Sequence, residues 1–208
     1  TLAMNAAGAD DPVRQDLHEI RDSVARAAAL GRRLMAFGGR QMLHKAPCEI
    51  NGIIAKTLKR AELGAGGDFK IEARLESGLP GIMADAAQLE QALASLLVNA
   101  REAMPGGGTA VISSAALRLE GEAVNSPKPG EAGSLFIKIS VRDSGAGISP
   151  ENLEQLFEPL FSTRKKGVGA GFGLAAVYGV VKQHNGWVEV KSEPGQGSEF
   201  ALFLPAAN

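Results

Sequence analysis

Asp143-Ser144-Gly145-Ala146-Gly147-Ile148, with Gly167-Val168-Gly169-Ala170-Gly171-Phe172-Gly173-Leu174 downstream, decides how the rest of the chain is read. Before it, Leu135, Ile137, Ile139 and Val141 alternate with Phe136, Lys138, Ser140 and Arg142, a period that predicts a strand ending at Asp143 and turning at once through glycine. A carboxylate is therefore expected on a rigid strand end. The second glycine run has no room for side chains, leaves backbone N–H groups free, and opens an apolar helix through Leu174, Ala175, Val177, Tyr178, Val180 and Val181. Free N–H groups at a helix N-terminus are how a backbone cradles a phosphate chain. The two runs together predict a nucleotide site.

Working outward, composition sets the bounds. A chain of 208 residues, 45% hydrophobic and 22% charged, can bury one good core and carry a smaller accessory element. A net charge of -1, with Arg164-Lys165-Lys166 as the basic run, argues against a nucleic-acid partner held by bulk charge. The single cysteine, Cys48, leaves no internal disulfide and fits a reducing compartment, and the 3 scattered histidines have no metal-ligand spacing. No stretch approaches the apolar length of a membrane span and no signal-peptide pattern opens the chain. The expectation is a cytoplasmic chain making no membrane contact, standing alone or as the soluble part of a larger anchored protein.

Asp11-Pro12 is a helix-start signal, after which Val13, Leu17, Ile20, Val24, Ala27 and Leu34 form a heptad-like seam broken where Gly31 occupies the stripe. That seam needs a partner helix. Thr1 to Ala7 reads as the remnant of a preceding one, so the chain is expected to be cut from a longer protein or to dimerise here. Ile50 to Leu63 reads as a second helix and Phe69 to Leu75 as a half-buried strand. Asp85 followed by Gln88 has capping-box spacing, and Leu89, Leu93, Leu96 and Ala100 form the inward stripe of a helix stopped at Pro105-Gly106-Gly107-Gly108. Ser95 and Asn99 share one face of it. Strands are expected over Thr109 to Leu117 and Leu135 to Arg142, around a patternless loop from Gly121 to Gly133. After the glycine-rich helix, which Gly186 terminates, Trp187 to Glu193 and Phe200 to Leu204 read as strands joined by Pro194-Gly195-Gln196-Gly197. The order predicts an α+β fold, a two-layer α/β sandwich with a mixed sheet and helices on one face.

Residues from about Ile82 to Pro205 resemble the ATP-binding catalytic domain of sensor histidine kinases, the Bergerat-type fold shared with gyrase-like ATPases and heat-shock chaperones. Asn99-Ala100 looks like the N box, Asp143-x-Gly145-x-Gly147 the first G box, Phe157-Glu158-Pro159-Leu160-Phe161 the F box, Gly169-x-Gly171-x-Gly173 the second G box, and Gly195-x-Gly197 with Phe200 the last. Upstream, Leu17-His18-Glu19-Ile20-Arg21 through Arg33-Leu34-Met35-Ala36-Phe37 is similar to the second helix of the dimerisation hairpin found in hybrid sensor kinases. The implied division is residues 1–45 as a partial hairpin and 46–208 as the catalytic ATP-binding domain.

The resemblance implies ATP and Mg2+ as cofactors, a response-regulator receiver domain as partner, and a homodimer through the hairpin. Asp143 would accept from the adenine amine, which excludes guanine because guanine presents a carbonyl there. Asn99 would be the magnesium ligand, its amide oxygen on a hard cation that also bridges phosphates. Gly145, Gly147, Ile148, Leu174 and Ser198 would line the nucleotide, and Thr163, Arg164, Gly169, Gly171 and Gly173 would form the flap over its phosphates. Ser95 stands where gyrase-like ATPases place a water-activating Glu, so hydrolysis by that route is disfavoured. Ala170 and Phe172 depart from the usual Thr and Leu. His18 falls beside the apolar seam and reads as a solvated histidine. No catalytic residue is expected in this chain, since the phosphoacceptor histidine and its base would lie upstream. Two alternatives stay open: a phosphotransfer or scaffold protein whose Bergerat domain no longer binds nucleotide, and a gyrase-like or chaperone-like ATPase.

Overall fold

The structure is a computed structural model, and it describes residues 43–62, 68–119, 134–159, 161 and 172–207. The heptad seam from Val13 to Leu34, with His18, and the loop from Gly121 to Gly133 lie outside the described residues.

The elements follow the order β1 (Ala46–Cys48), α1 (Ile50–Glu62), β2 (Phe69–Leu75), β3 (Ile82–Ala84), α2 (Ala86–Ala103), β4 (Gly108–Arg118), β5 (Leu135–Asp143), α3 (Pro150–Glu154), α4 (Gly173–Gln183), β6 (Trp187–Glu193) and β7 (Gly197–Pro205). Five strands form a sheet ordered β2-β4-β5-β7-β6. β2 runs parallel to β4 and the remaining neighbours are antiparallel, so the sheet is mixed. β1 and β3 make a separate two-stranded antiparallel pair.

Helical periodicity explains one layer of the core. Ile50, Ile53, Ile54 and Thr57 bury one stripe of α1, while Leu89, Leu93, Leu96 and Ala100 bury that of α2 as their spacing requires. These stripes and Val177, Val180 and Val181 of α4 pack in one cluster with Ile112, Ile137, Ile139, Val141, Phe200, Leu202 and Leu204 of the sheet. Full burial of one such Leu or Ile contributes about 1.5–3 kcal/mol, so this layer carries the fold.

The other sheet face holds a second cluster of Phe136, Trp187, Ala201 and Phe203. Trp187 stacks on Phe203 with ring centroids 4.5 Å apart, and Phe136 meets the indole edge-on at 4.8 Å. Both faces of β7 are therefore covered, and for that reason Phe200 to Leu204 shows no polar alternation.

Two local readings are corrected. Asp85 does cap α2, its Oδ1 accepting from the Gln88 N–H at 3.2 Å, but the reciprocal half of the capping box is not made. The Asp85 N–H instead donates to His184 Nε2 at 2.9 Å, and the Gln88 amide oxygen is buried without a partner. At the end of α4 the left-handed residue is Asn185, at φ 59°, rather than Gly186. Gly186 is required by packing, because a Cβ there would strike the Phe203 carbonyl.

Candidate functional site

β5 is the central strand, and Asp143 is its last residue, paired in register with Ser198 of β7. The side chain is buried, and Oδ1 accepts the Gly145 N–H at 2.8 Å. Burial pushes the Asp143 carboxyl above the usual range of carboxylates, and the backbone N–H groups of Gly145 and Ser198 pull it back in part. A desolvated carboxylate at the end of a strand is an acceptor in want of donors.

The turn after Asp143 is wedged between two elements. Ala146 donates to the Ala103 carbonyl at the end of α2 at 3.2 Å, and accepts from the Gly195 N–H at 2.8 Å. A Cβ on Gly145 would collide with Ala103, and one on Gly147 would collide with the Glu193 carbonyl. Gly147 also sits at φ 69°, the left-handed region glycine occupies at least cost. Ile148 donates to Ser192 Oγ at 2.8 Å; that hydroxyl donates to the Gly197 carbonyl at 2.9 Å and touches Ser198 Oγ at 3.0 Å. Gly145, Ala146 and Ile148 thus have their N–H groups committed within the protein. The first glycine run serves close packing of backbone, and candidate donors for an anion lie elsewhere.

Those donors are at the start of α4. Phe172, its N-cap, makes no side-chain cap hydrogen bond, and the first N–H groups of a helix are the kind of donor an anion takes. Asn99 faces this helix start: its Oδ1 lies 3.9 Å from where a Cβ on Gly173 would be, and its Nδ2 is buried with no hydrogen-bond partner among the described residues. Such an amide costs about 1–3 kcal/mol until something completes it, so it marks a place built for a ligand group. Asn99 stands one helical turn before Ala103, the residue against which the Asp143 turn packs. One end of α2 thus brings together Asn99, the Asp143 turn and Gly173.

Ile148 and Leu174 are half-buried and rest against the main core. Ser95 is half-buried one turn before Asn99 on the same helix face. Phe157 packs its ring 5.1 Å from that of Tyr178 on α4. Thr163, Arg164, Gly169 and Gly171 lie outside the described residues. Ser192 and Ala103 went unread in the sequence, because their importance arises from strand register and from a helix end meeting a distant turn.

Residues 84–208 match the family model described as histidine kinase-, DNA gyrase B-, and HSP90-like ATPase. The chain is 35% identical over 197 residues to the sensor kinase CckA of Brucella abortus, an overlap of 95% of this chain and 21% of that protein. It is 33% identical over 210 residues to the sensory histidine kinase/phosphatase NtrB of Rhodobacter capsulatus, covering 99% of this chain and 56% of the relative. The chain thus spans 21% and 56% of these relatives' lengths. Among solved structures, full-length ShkA in complex with AMPPNP superposes with a TM-score of 0.72 at 26% identity, covering 97% of this chain and 40% of that one. The mycobacterial sensor histidine kinase MprB shares the fold with a TM-score of 0.62 at 23% identity, over 78% of this chain and 97% of its own.

Proposed function

Because the chain belongs to the histidine kinase-, DNA gyrase B- and HSP90-like ATPase family, we propose that it is the ATP-binding catalytic region of a two-component sensor histidine kinase. In this reading residues 46–208 hold Mg-ATP and present its terminal phosphate to a histidine outside them, with residues 1–45 as part of a dimerisation hairpin. His184 is excluded as acceptor, since it is buried with both ring nitrogens engaged. A receiver domain, a homodimer and a cytoplasmic setting belong to the same proposal; no helix among the described residues is long and apolar enough to cross a membrane.

The observation that carries the reading is the buried Asn99 Nδ2, without a partner among the described residues, beside the start of α4 and one turn from where the Asp143 turn packs. Phosphoryl transfer asks the protein for positioning and charge neutralisation. Asp143 holds the base through the adenine amine, its buried acceptor rejecting a guanine carbonyl. Ile148 and Leu174 supply the apolar wall beside it, Gly173 and the N–H groups of α4 receive phosphate oxygens, and Thr163, Arg164, Gly169 and Gly171 belong to the same proposed nucleotide-binding set. Asn99 would hold a magnesium ion through its amide oxygen, a neutral hard ligand, while its buried Nδ2, without a partner among the described residues, would donate to a phosphate oxygen. Bound magnesium supplies charge neutralisation at the phosphates. Ser95 has no carboxylate with which to activate water, so ATP is kept for transfer.

Calorimetric titration with AMPPNP and magnesium tests this. We expect a Kd between about 1 μM and 1 mM, the span usual for enzyme substrates. Asn99→Ala should weaken binding by about 10–100-fold, the loss expected for one strong polar contact. No binding heat would favour the scaffold reading, and steady hydrolysis abolished by Asn99→Ala would favour an ATPase.

A further inference from the structure

His184 is a buried titratable group that the proposed reaction does not use. It caps the end of α4, with 3% of its surface exposed. Its Nδ1–H donates to the Val180 carbonyl at 2.7 Å, and Nε2 accepts the N–H of Asp85, the cap of α2, at 2.9 Å. The chain entering from the N-terminal side is fastened at the same spot. The His44 N–H donates to Asp85 Oδ2 at 3.2 Å, and Lys45 Nζ donates to the Gln183 carbonyl at 2.8 Å.

α2 and α4 run antiparallel, because Asp85 meets His184 at one end while Asn99 meets Gly173 at the other. At about 1.5 Å of rise per residue, the tie lies roughly 15–20 Å from the cleft along both helices. We infer that His184 is a positioning residue for the nucleotide cleft: by fixing the end of α4 to the cap of α2, it sets the gap between Asn99 and Gly173. The inference rests on the nucleotide reading of that cleft. It also makes the segment at His44 and Lys45 the route by which the preceding chain can act on the site.

The tie needs a neutral ring. A protonated Nε2 cannot accept, and the Asp85 N–H would be left buried and unpaired. Burial pushes His184 below the usual histidine value of 6.5, Val180 and Asp85 oppose that, and Lys45 adds to it. Because the folded value is lowered, the tie is whole above pH 6.5 and is lost as pH falls through the lowered value.

The test is AMPPNP binding to the 208-residue chain and to His184→Phe and His184→Gln, across pH. Phe keeps the ring and removes both hydrogen bonds. The free Gln88 oxygen can then complete the cap of α2, so the loss falls on the tie. Gln retains a neutral acceptor. We expect His184→Phe to weaken binding at pH 7.5 by about fivefold, the worth of one net hydrogen bond. His184→Gln should bind as the unaltered chain does at pH 7.5 and lose less affinity at acid pH than the unaltered chain does. Asp143 titrates equally in both, so it cancels. Lowered melting temperature with unchanged affinity in His184→Phe, or coincident pH profiles for the unaltered chain and His184→Gln, would overturn the inference alone. If His184→Phe does not fold, the two pH profiles decide. Absence of binding by the unaltered chain would overturn the cleft reading and this inference with it.

Discussion

The paired helices α2 and α4 are finished differently at their two ends. At the Asp85–His184 end the groups that join the helices are satisfied, the Gln88 amide oxygen beside them being the exception: Asp85 accepts from Gln88 and His44, its N–H is taken by His184, and the far ring nitrogen is engaged by Val180. At the other end Asn99 Nδ2 is buried without a partner among the described residues, Phe172 gives α4 no side-chain cap, and Asp143 is held in a desolvated state. A satisfied end contributes stability. An unsatisfied end costs stability and gains binding, so the two should respond to mutation with opposite patterns.

Asp143→Asn is the sharpest way to break that contrast and should have the largest effect. The new amide can still accept the Gly145 N–H, but it presents a donor toward the adenine amine. Affinity for AMPPNP should fall by about 10–100-fold. The fold should be no less stable at neutral pH, since a desolvated charge has been removed. The pH dependence has a definite sign. Because burial raises Asp143 above 3.8, the folded protein binds its proton at higher pH than the unfolded chain. Stability from this group therefore increases as pH falls through the raised value, while the acceptor for the base is lost over the same window. Thermal melting and calorimetry of the two proteins from pH 4.5 to 8 should show the trends diverging; parallel trends would mean that Asp143 is structural.

Gly145→Ala probes the junction itself. The added methyl meets the carbonyl and Cβ of Ala103, a helix end with little room to yield. We expect a loss of about 1–3 kcal/mol of stability, as for overpacking, measured by urea unfolding. Affinity should fall with it, because the same displacement carries the turn away from the end of α2 on which Asn99 stands. Unchanged affinity would show that the Asp143 turn and Asn99 do not share a cleft.

Much of this was legible in the chain. Alternation located β2 from Phe69 to Leu75, and the spacing of Leu89, Leu93, Leu96 and Ala100 located α2, because each buries one face against the core. Asp143 was legible as the end of β5, since the alternation of Leu135, Ile137, Ile139 and Val141 runs up to it and glycine follows. The reason for those glycines was not legible. Gly147 is required by the Glu193 carbonyl and Gly145 by Ala103, contacts that exist only once β5, β6 and α2 have assembled. β1 and β3 are three residues each, too short to show a period. His184 carried no local signal, because its partner Asp85 lies 99 residues away and the expected partner, Gln88, satisfied the capping pattern on paper.

Asp85→Ala is the smallest and most selective test of the contrast. It removes the acceptor for Gln88 and His44 but leaves the backbone N–H that His184 holds. Loss of an N-cap of this kind costs about 1 kcal/mol. For a chain of this size that lowers the melting temperature by about 2–4 °C. Affinity for AMPPNP should stay within about twofold, since the carboxylate's hydrogen bonds, from Gln88 and His44, do not reach α4 and the His184 tie is kept. The pairing with His184→Phe is what gives the measurement its value: the carboxylate serves α2 and the incoming segment at His44, whereas the imidazole spans the two helices that line the cleft. If Asp85→Ala weakened binding as much as His184→Phe, then any loosening of the satisfied end would reach the cleft, and the special role would pass from the His184 ring to the whole joint.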